Sequence, residues 1–136
     1  LFGHKWKLTD LRTARPVGKQ IPDRKKQLFQ YMPPERALAE MNNAESQMRI
    51  VFSYDMWQLG CIMYELFVLA PLISKNEADP LARLVAFSRH DIKVDDVQAQ
   101  HLLQDKLLVK EPIGRVNIAG VLVSFLLGSE TLFCRF

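Results

Sequence analysis

A continuous apolar run, SYDMWQLGCIMYELFVL at residues 53–69, constrains the fold of this chain more than any other segment. At 3.6 residues per turn, apolar side chains surround such a helix and leave no polar face beyond Gln58 and Glu65. The run is shorter than the ~20 apolar residues that cross a bilayer, and it contains a glutamate. It therefore predicts a core helix on which other elements pack, and no membrane partner is expected.

Capping residues and prolines mark the ends of the predicted elements. We predict the central helix over 54–69, with Ser53 or Asp55 as its cap and Pro71 preventing its continuation. Further elements follow from the same signals: a short strand over 5–9, an extended loop from Pro16 to Pro34, and helices over 36–42, from Asp79 with Pro80 to about Arg89, over 97–109 and over 116–127. The expected fold class is mainly α, with about five helices around one buried central helix.

The composition is that of one globular domain with a mildly basic charge. The 136 residues are 49% hydrophobic and 24% charged, with a formal net charge of +3. Much of the excess positive charge lies in residues 12–26, which lack interleaved aromatic residues and match no nucleic-acid module, so no nucleic-acid partner is expected. Cys61 and Cys134 suggest neither a disulfide nor a metal site, and the histidines share no ligand spacing. An intracellular, cytoplasmic location is expected.

Several motifs carry a resemblance to one protein family. The sequence DMWQLG at 55–60 resembles the start of the central helix of the protein kinase large lobe. DLR at 10–12 and PPE at 33–35 resemble the Asp-Phe-Gly and Ala-Pro-Glu motifs that bound the kinase activation segment, and Arg115 follows a leucine-rich helix end as in that family. Their order and spacing resemble a eukaryotic protein kinase domain of the serine/threonine type, from the Asp-Phe-Gly-like motif to the last helix. The complete parent fold would be α+β.

The resemblance implies roles for residues of the activation segment. Asp10 stands in the place of the metal-binding aspartate and is a possible Mg²⁺ ligand, although it equally suits the turn that ends a strand. Leu11 and Arg12 replace the usual Phe-Gly pair, which removes the backbone freedom of glycine, while Leu11 can still fill an apolar slot. Leu28 occupies the place where serine/threonine kinases usually carry a threonine before Tyr31.

The resemblance also implies structural roles in the large lobe. Glu35 and Arg115 would form a buried ion pair, because a guanidinium fork can bond both carboxylate oxygens. Trp57 would be a core residue, and Gly60 would allow close helix packing. The aspartate matching Asp55 bonds the catalytic-loop backbone in kinases. Two other interpretations stay open: the pair are unrelated surface charges, and Asp55 is only a helix cap.

The chain is interpreted as a partial kinase domain over 1–136, with the metal-motif strand and activation segment at 1–35 and the helical large lobe at 36–136. The resemblance implies a full-length parent that transfers phosphate from ATP, with Mg²⁺, to serine or threonine of a protein substrate. The N-lobe and catalytic loop would precede Leu1, so the chain alone is expected to be inactive and to need no cofactor. The alternative is a pseudokinase-like helical module that binds protein partners through the large lobe and the groove beside the predicted 79–89 helix.

Overall fold

The computed structural model describes residue 11, residues 14–21 and residues 28–117, and this part of the chain is mainly α-helical. Its α-helices are α1 (Pro34–Met41), α2 (Phe52–Val68), α3 (Pro80–Val85) and α4 (Val97–Leu102). A π-helical turn at Leu103–Leu107 continues α4, and short 3-10 turns lie at Phe29–Tyr31, Glu45–Gln47, Arg89–Asp91 and Pro112–Gly114. The described ranges contain no strand, only an isolated antiparallel bridge between Gln20 and Arg49.

Two predicted elements lie mostly or wholly outside the described residues. The strand over 5–9 is one of them. The last helix, over 116–127, is the other, and its first two residues, Val116 and Asn117, are described as irregular. The described part therefore contains four α-helices, against the five predicted for the whole chain.

Helix α2 is 17 residues long and begins at Phe52, two residues before its predicted start. No side chain caps it, so the prediction that Ser53 or Asp55 does so is wrong; both residues already lie inside the first turn. The helix ends where Leu69 adopts the left-handed conformation (φ 57°) while its N–H donates to the Glu65 carbonyl over 2.8 Å. A left-handed residue just past the last turn satisfies a terminal carbonyl and stops the helix before any proline is needed.

The surroundings of α2 differ between its two faces. Trp57 and Cys61 are buried, and on that side α2 packs against the turn at Phe29–Tyr31, the π-helical turn and the turn at Pro112–Gly114. The side chains of Ile62 and Leu66 point to the other side and remain 48% and 44% exposed. Among the described residues, the packed elements contact only one face of α2, so this helix is not buried on all sides as predicted.

Aspartates fix the starts of the two short helices. Asp79 accepts a hydrogen bond from the N–H three residues ahead over 3.0 Å, and Pro80 occupies the first turn, which confirms the predicted start of α3. Asp96 caps α4 in the same way over 2.8 Å. Both helices are shorter than predicted: α3 ends at Val85, and regular α-helix ends at Leu102 where the wider π-helical turn begins. Helix α1 begins at Pro34, two residues before its predicted start at residue 36.

The core lies between the buried face of α2, α3 and the segment that follows α4. Trp57 and Phe87 meet edge to face, with ring centroids 5.0 Å apart and an interplanar angle of 84°. Around them lie large aliphatic side chains that are almost fully buried, namely Ile73, Leu84, Ile92, Leu103, Leu107 and Leu108.

Candidate functional site

The buried guanidinium of Arg115 connects two distant parts of the chain. Arg115 follows the turn at Pro112–Gly114, and Glu35 lies in the first turn of α1, 80 residues earlier. Nη1 and Nη2 of Arg115 donate to Oε1 and Oε2 of Glu35 over 2.6 and 2.7 Å. The arginine side chain is 0% exposed and that of the glutamate 18% exposed. The structure thus brings the two residues together in a two-pronged ion pair whose shape only arginine can supply.

The remaining donors of Arg115 bind backbone carbonyls. Nε donates to the carbonyl of Val109 over 2.8 Å, Nη1 to that of Ser53 over 3.2 Å, and Nη2 to that of Lys110 over 2.9 Å. The guanidinium carbon also lies 5.0 Å from the centroid of the Trp57 ring, within cation–π range. One side chain therefore ties the starts of α1 and α2 to the loop after α4. Because the charges of Arg115 and Glu35 are paired and the remaining donors are bonded, the ion pair holds these segments in place and offers no reactive group.

Gly60 lies on the buried face of α2, where the chain after α4 approaches it closely. A Cβ atom at this position would meet Cδ2 and Cγ of Leu108 at 2.7 and 2.9 Å. Any side chain larger than hydrogen would push this leucine away. The glycine thus sits where the helix and the following segment make their close approach.

Asp55 lies on the exposed side of α2, away from Arg115. It is exposed, and among the described residues none bonds its carboxylate. Partial desolvation by the surrounding atoms nevertheless raises the pKa of this carboxyl above its usual value. The structure rules out the interpretation of Asp55 as a helix cap, and the catalytic-loop contact that the kinase resemblance implies stays a prediction.

Tyr31 makes a contact that the sequence analysis missed. Its hydroxyl donates to Oε2 of Glu65 over 2.9 Å, and this hydrogen bond, with desolvation, raises the pKa of the phenol. The bond links the 3-10 turn at Phe29–Tyr31 to α2. In the sequence, Glu65 is only a polar break in the apolar run, and nothing in the local pattern indicates its partner.

The structure describes only some of the other residues that the sequence analysis assigned to an activation segment. Leu11 and Leu28 are 61% and 63% exposed. Most of the Leu11 side chain therefore contacts solvent, and the described residues provide no apolar slot for it. Asp10 and Arg12 lie outside the described residues.

The part of the chain that the structure describes was searched for a metal-binding cluster, for a cleft and for a membrane-spanning helix. In residue 11 and the ranges 14–21 and 28–117, no three His, Cys, Asp or Glu side chains converge to hold a metal ion. An open cleft of about 640 Å³ lies between the end of α2 and residues 93–97. None of the helices in the described part combines the length and apolar character needed to cross a membrane.

Comparison with known proteins shows a similarity to a protein kinase. No family model matches the chain. Over 96 residues, 68% of this chain, the sequence is 30% identical to the dual specificity protein kinase Ttk of Danio rerio. The match covers 10% of that protein, so the chain spans only a small part of the curated relative's length. This similarity indicates a kinase-like relationship for the chain.

Proposed function

We propose that the chain is the C-terminal, helical part of a serine/threonine-type protein kinase domain, running from the metal-binding motif to the last helix of the large lobe. Its complete parent would transfer phosphate from ATP, with Mg²⁺, to serine or threonine of a protein substrate, in the cytoplasm. The chain alone would be inactive. One carboxylate, that of Asp10, cannot hold a metal ion firmly without a partner ligand, and no base would orient the substrate hydroxyl.

The observation that carries this proposal is the two-pronged ion pair between Glu35 and Arg115. The kinase resemblance implied it across 80 residues of sequence, and the two carboxylate–guanidinium distances are 2.6 and 2.7 Å. In a random pair of surface charges both side chains would be exposed, whereas the Arg115 side chain is 0% exposed. The 30% identity to a dual specificity protein kinase over 96 residues supports the same proposal.

A second candidate function is a pseudokinase-like module that binds protein partners. The replacement of Asp-Phe-Gly by Asp10, Leu11 and Arg12 favours it, and so does the exposed apolar side of α2 that includes Ile62 and Leu66. Under this proposal the kinase relationship describes ancestry, and the helical part retains the scaffold without the chemistry.

The test begins with the size of the natural protein and continues with phosphate transfer. An antibody against residues 12–30 reports the intact mass in source cells. A product much larger than 15.7 kDa is then purified and assayed for transfer of labelled phosphate from ATP and Mg²⁺ to a generic protein substrate. We expect transfer by this product and none by the 136-residue chain.

The matched variants are Asp10→Asn and Asp95→Asn in the longer product. Asp10→Asn should abolish transfer if this aspartate holds the metal, whereas Asp95→Asn, on the loop before α4, should leave it unchanged. A longer product that binds neither ATP nor Mg²⁺ would refute the enzymatic proposal and favour the pseudokinase function. Equal transfer by both variants would refute the role of Asp10.

A further inference from the structure

Backbone hydrogen bonds anchor a tight turn of the chain to the link between α1 and α2. Within the turn, Lys19 donates its N–H to the Pro16 carbonyl over 3.3 Å, and Gly18 adopts the left-handed conformation (φ 83°) typical of the third position of such turns. Gly18 then donates to the carbonyl of Ile50 over 2.9 Å, and Ile50 donates back to the carbonyl of Lys19 over 2.8 Å. We call residues 16–20 the anchored turn.

The anchoring brings two exposed cations to neighbouring backbone positions. Gln20 and Arg49 face each other across the isolated antiparallel bridge, and the Gln20 amide also donates to the Ser46 carbonyl over 3.1 Å. Because facing residues of an antiparallel pair lie about 5 Å apart, the backbone of Arg49 lies beside that of Lys19, the residue before Gln20. Lys19 and Arg49 are both exposed, and among the described residues neither side chain has a hydrogen-bond or ion-pair partner.

The sequence around the anchored turn is strongly basic and cannot supply a phosphate to these cations. Residues 12–26 include six Lys or Arg against one Asp. No Ser, Thr or Tyr occurs between residues 14 and 30, so phosphorylation within this stretch provides no anion. The anion that pairs with Lys19 and Arg49 is therefore sought in another molecule.

We propose that Lys19 and Arg49 bind an acidic segment of the protein substrate. The inference rests on the proposed function and names its substrate class, a protein in which Asp or Glu residues accompany the serine or threonine that receives the phosphate. Carboxylates suit both cations, because Lys19 presents a compact charge and Arg49 a fork that bonds two oxygens. Exposed ion pairs are weak and screened by salt, so the two cations give a preference for acidic substrates.

A peptide fits this site better than a nucleic acid. Neither residues 14–21 nor residues 46–50 contain an aromatic ring on which a base could stack. Two cations also neutralise few phosphates, whereas nucleic-acid affinity grows with the number of phosphates that are neutralised. An oligonucleotide is therefore included in the test as a competing ligand.

Fluorescence anisotropy with the full 136-residue chain measures the preference. The acidic probe is a labelled peptide with one serine and four glutamates, and the neutral probe carries glutamine in place of each glutamate. A labelled single-stranded oligonucleotide with four phosphates has the same charge as the four glutamates. We expect the acidic peptide to bind about tenfold tighter than the neutral one at low salt, and this ratio should fall as the salt concentration rises.

Variants of the chain locate the binding. Lys19→Gln combined with Arg49→Gln should weaken the acidic peptide about tenfold. Lys75→Gln combined with Lys93→Gln is the matched control, because it removes the same charge at two exposed positions outside the turn and the link, and its binding should equal that of the unaltered chain. Gly18→Pro keeps every charge but removes the N–H that bonds Ile50 and forbids a positive φ, so it should weaken the acidic peptide about threefold.

The longer product of the transfer assay shows whether the bound peptide is a substrate. In that product, Lys19→Gln with Arg49→Gln should raise KM for the acidic peptide about tenfold and leave kcat unchanged, because the site binds the substrate and does not take part in the transfer. If the longer product transfers no phosphate, the proposed function fails and the acidic protein is a partner instead of a substrate. The binding series on the 136-residue chain decides the role of Lys19 and Arg49 in either case.

Four results would overturn the proposal. Equal affinity of the unaltered chain for the acidic and neutral peptides would remove the preference. Equal binding by the two double variants would mean that net charge alone attracts the peptide. Unchanged binding by Gly18→Pro would remove the role of the anchored turn. Tighter binding of the oligonucleotide than of the acidic peptide would make a nucleic acid the ligand.

Discussion

Replacing Arg115 with methionine should destabilise the folded chain strongly. The substitution keeps an apolar stem of similar length but leaves the Glu35 carboxylate without its cation, and three backbone carbonyls lose a donor. Removing one partner of a buried ion pair costs about 3–5 kcal/mol. Since the glutamate side chain is 18% exposed and can regain some water, we expect a loss near the lower limit, about 3 kcal/mol.

Urea unfolding followed by far-ultraviolet circular dichroism measures this loss, and a double-mutant cycle assigns it. Arg115→Met, Glu35→Gln and the double variant together should give a coupling energy of about 2 kcal/mol, because each single change removes the same two-pronged contact. Arg115→Lys keeps the charge without the fork and should still cost about 2 kcal/mol. It also keeps the test usable if the methionine variant does not fold.

Two outcomes would refute this reasoning. If Arg115→Met lowered the free energy of unfolding by less than about 1 kcal/mol, the pair would contribute no more to stability than a solvent-exposed salt bridge. Additive effects of Arg115→Met and Glu35→Gln would mean that the two side chains stabilise the fold separately. In either case the contact would not hold α1 and the loop after α4 together.

Three further predictions test other parts of the fold. Gly60→Ala should lower the free energy of unfolding by about 1–2 kcal/mol, because its Cβ would meet Leu108 at 2.7 Å; unchanged or higher stability would mean that the leucine moves aside at little cost. Asp79→Ala should cost about 1 kcal/mol through loss of the α3 cap, whereas the matched control Asp95→Ala should cost much less, and equal urea midpoints would contradict the capping role. Burial raises the pKa of Tyr54 to about 12. Because an unfolded tyrosine releases its proton near pH 10, the free energy of unfolding should fall as the pH rises from about 10 to 12, and Tyr54→Phe should flatten that fall; parallel pH profiles would refute the assignment.

Capping residues, prolines and hydrophobic spacing predicted the order of the helices and some of the residues at which they begin or end. The start of α3 follows from one aspartate and one proline, both of which act within a single turn, so Asp79 and Pro80 were sufficient. The end of α2 does not follow from such a rule. Leu69 has no intrinsic preference for a left-handed conformation, so neighbours beyond the sequence window must impose it.

Contacts between distant residues could not be read from hydrophobic spacing. The pair formed by Glu35 and Arg115 was anticipated through the kinase resemblance alone, since no periodicity links residues 80 positions apart. The bond from Tyr31 to Glu65 had no such guide and was missed. Hydropathy likewise identified α2 as apolar but could not say which face the rest of the chain would cover.

The two faces of α2 should contribute separately to the stability of the fold. Arg115 acts on the buried face, where it bonds the carbonyl of Ser53 and lies over the ring of Trp57. Ile62 lies on the opposite face and is 48% exposed. Substitutions that share no partner usually have additive effects. Ile62→Gln should therefore change the free energy of unfolding by the same small amount in the unaltered chain and in the Arg115→Lys chain. A larger loss in the Arg115→Lys chain would show that α2 transmits strain between its faces.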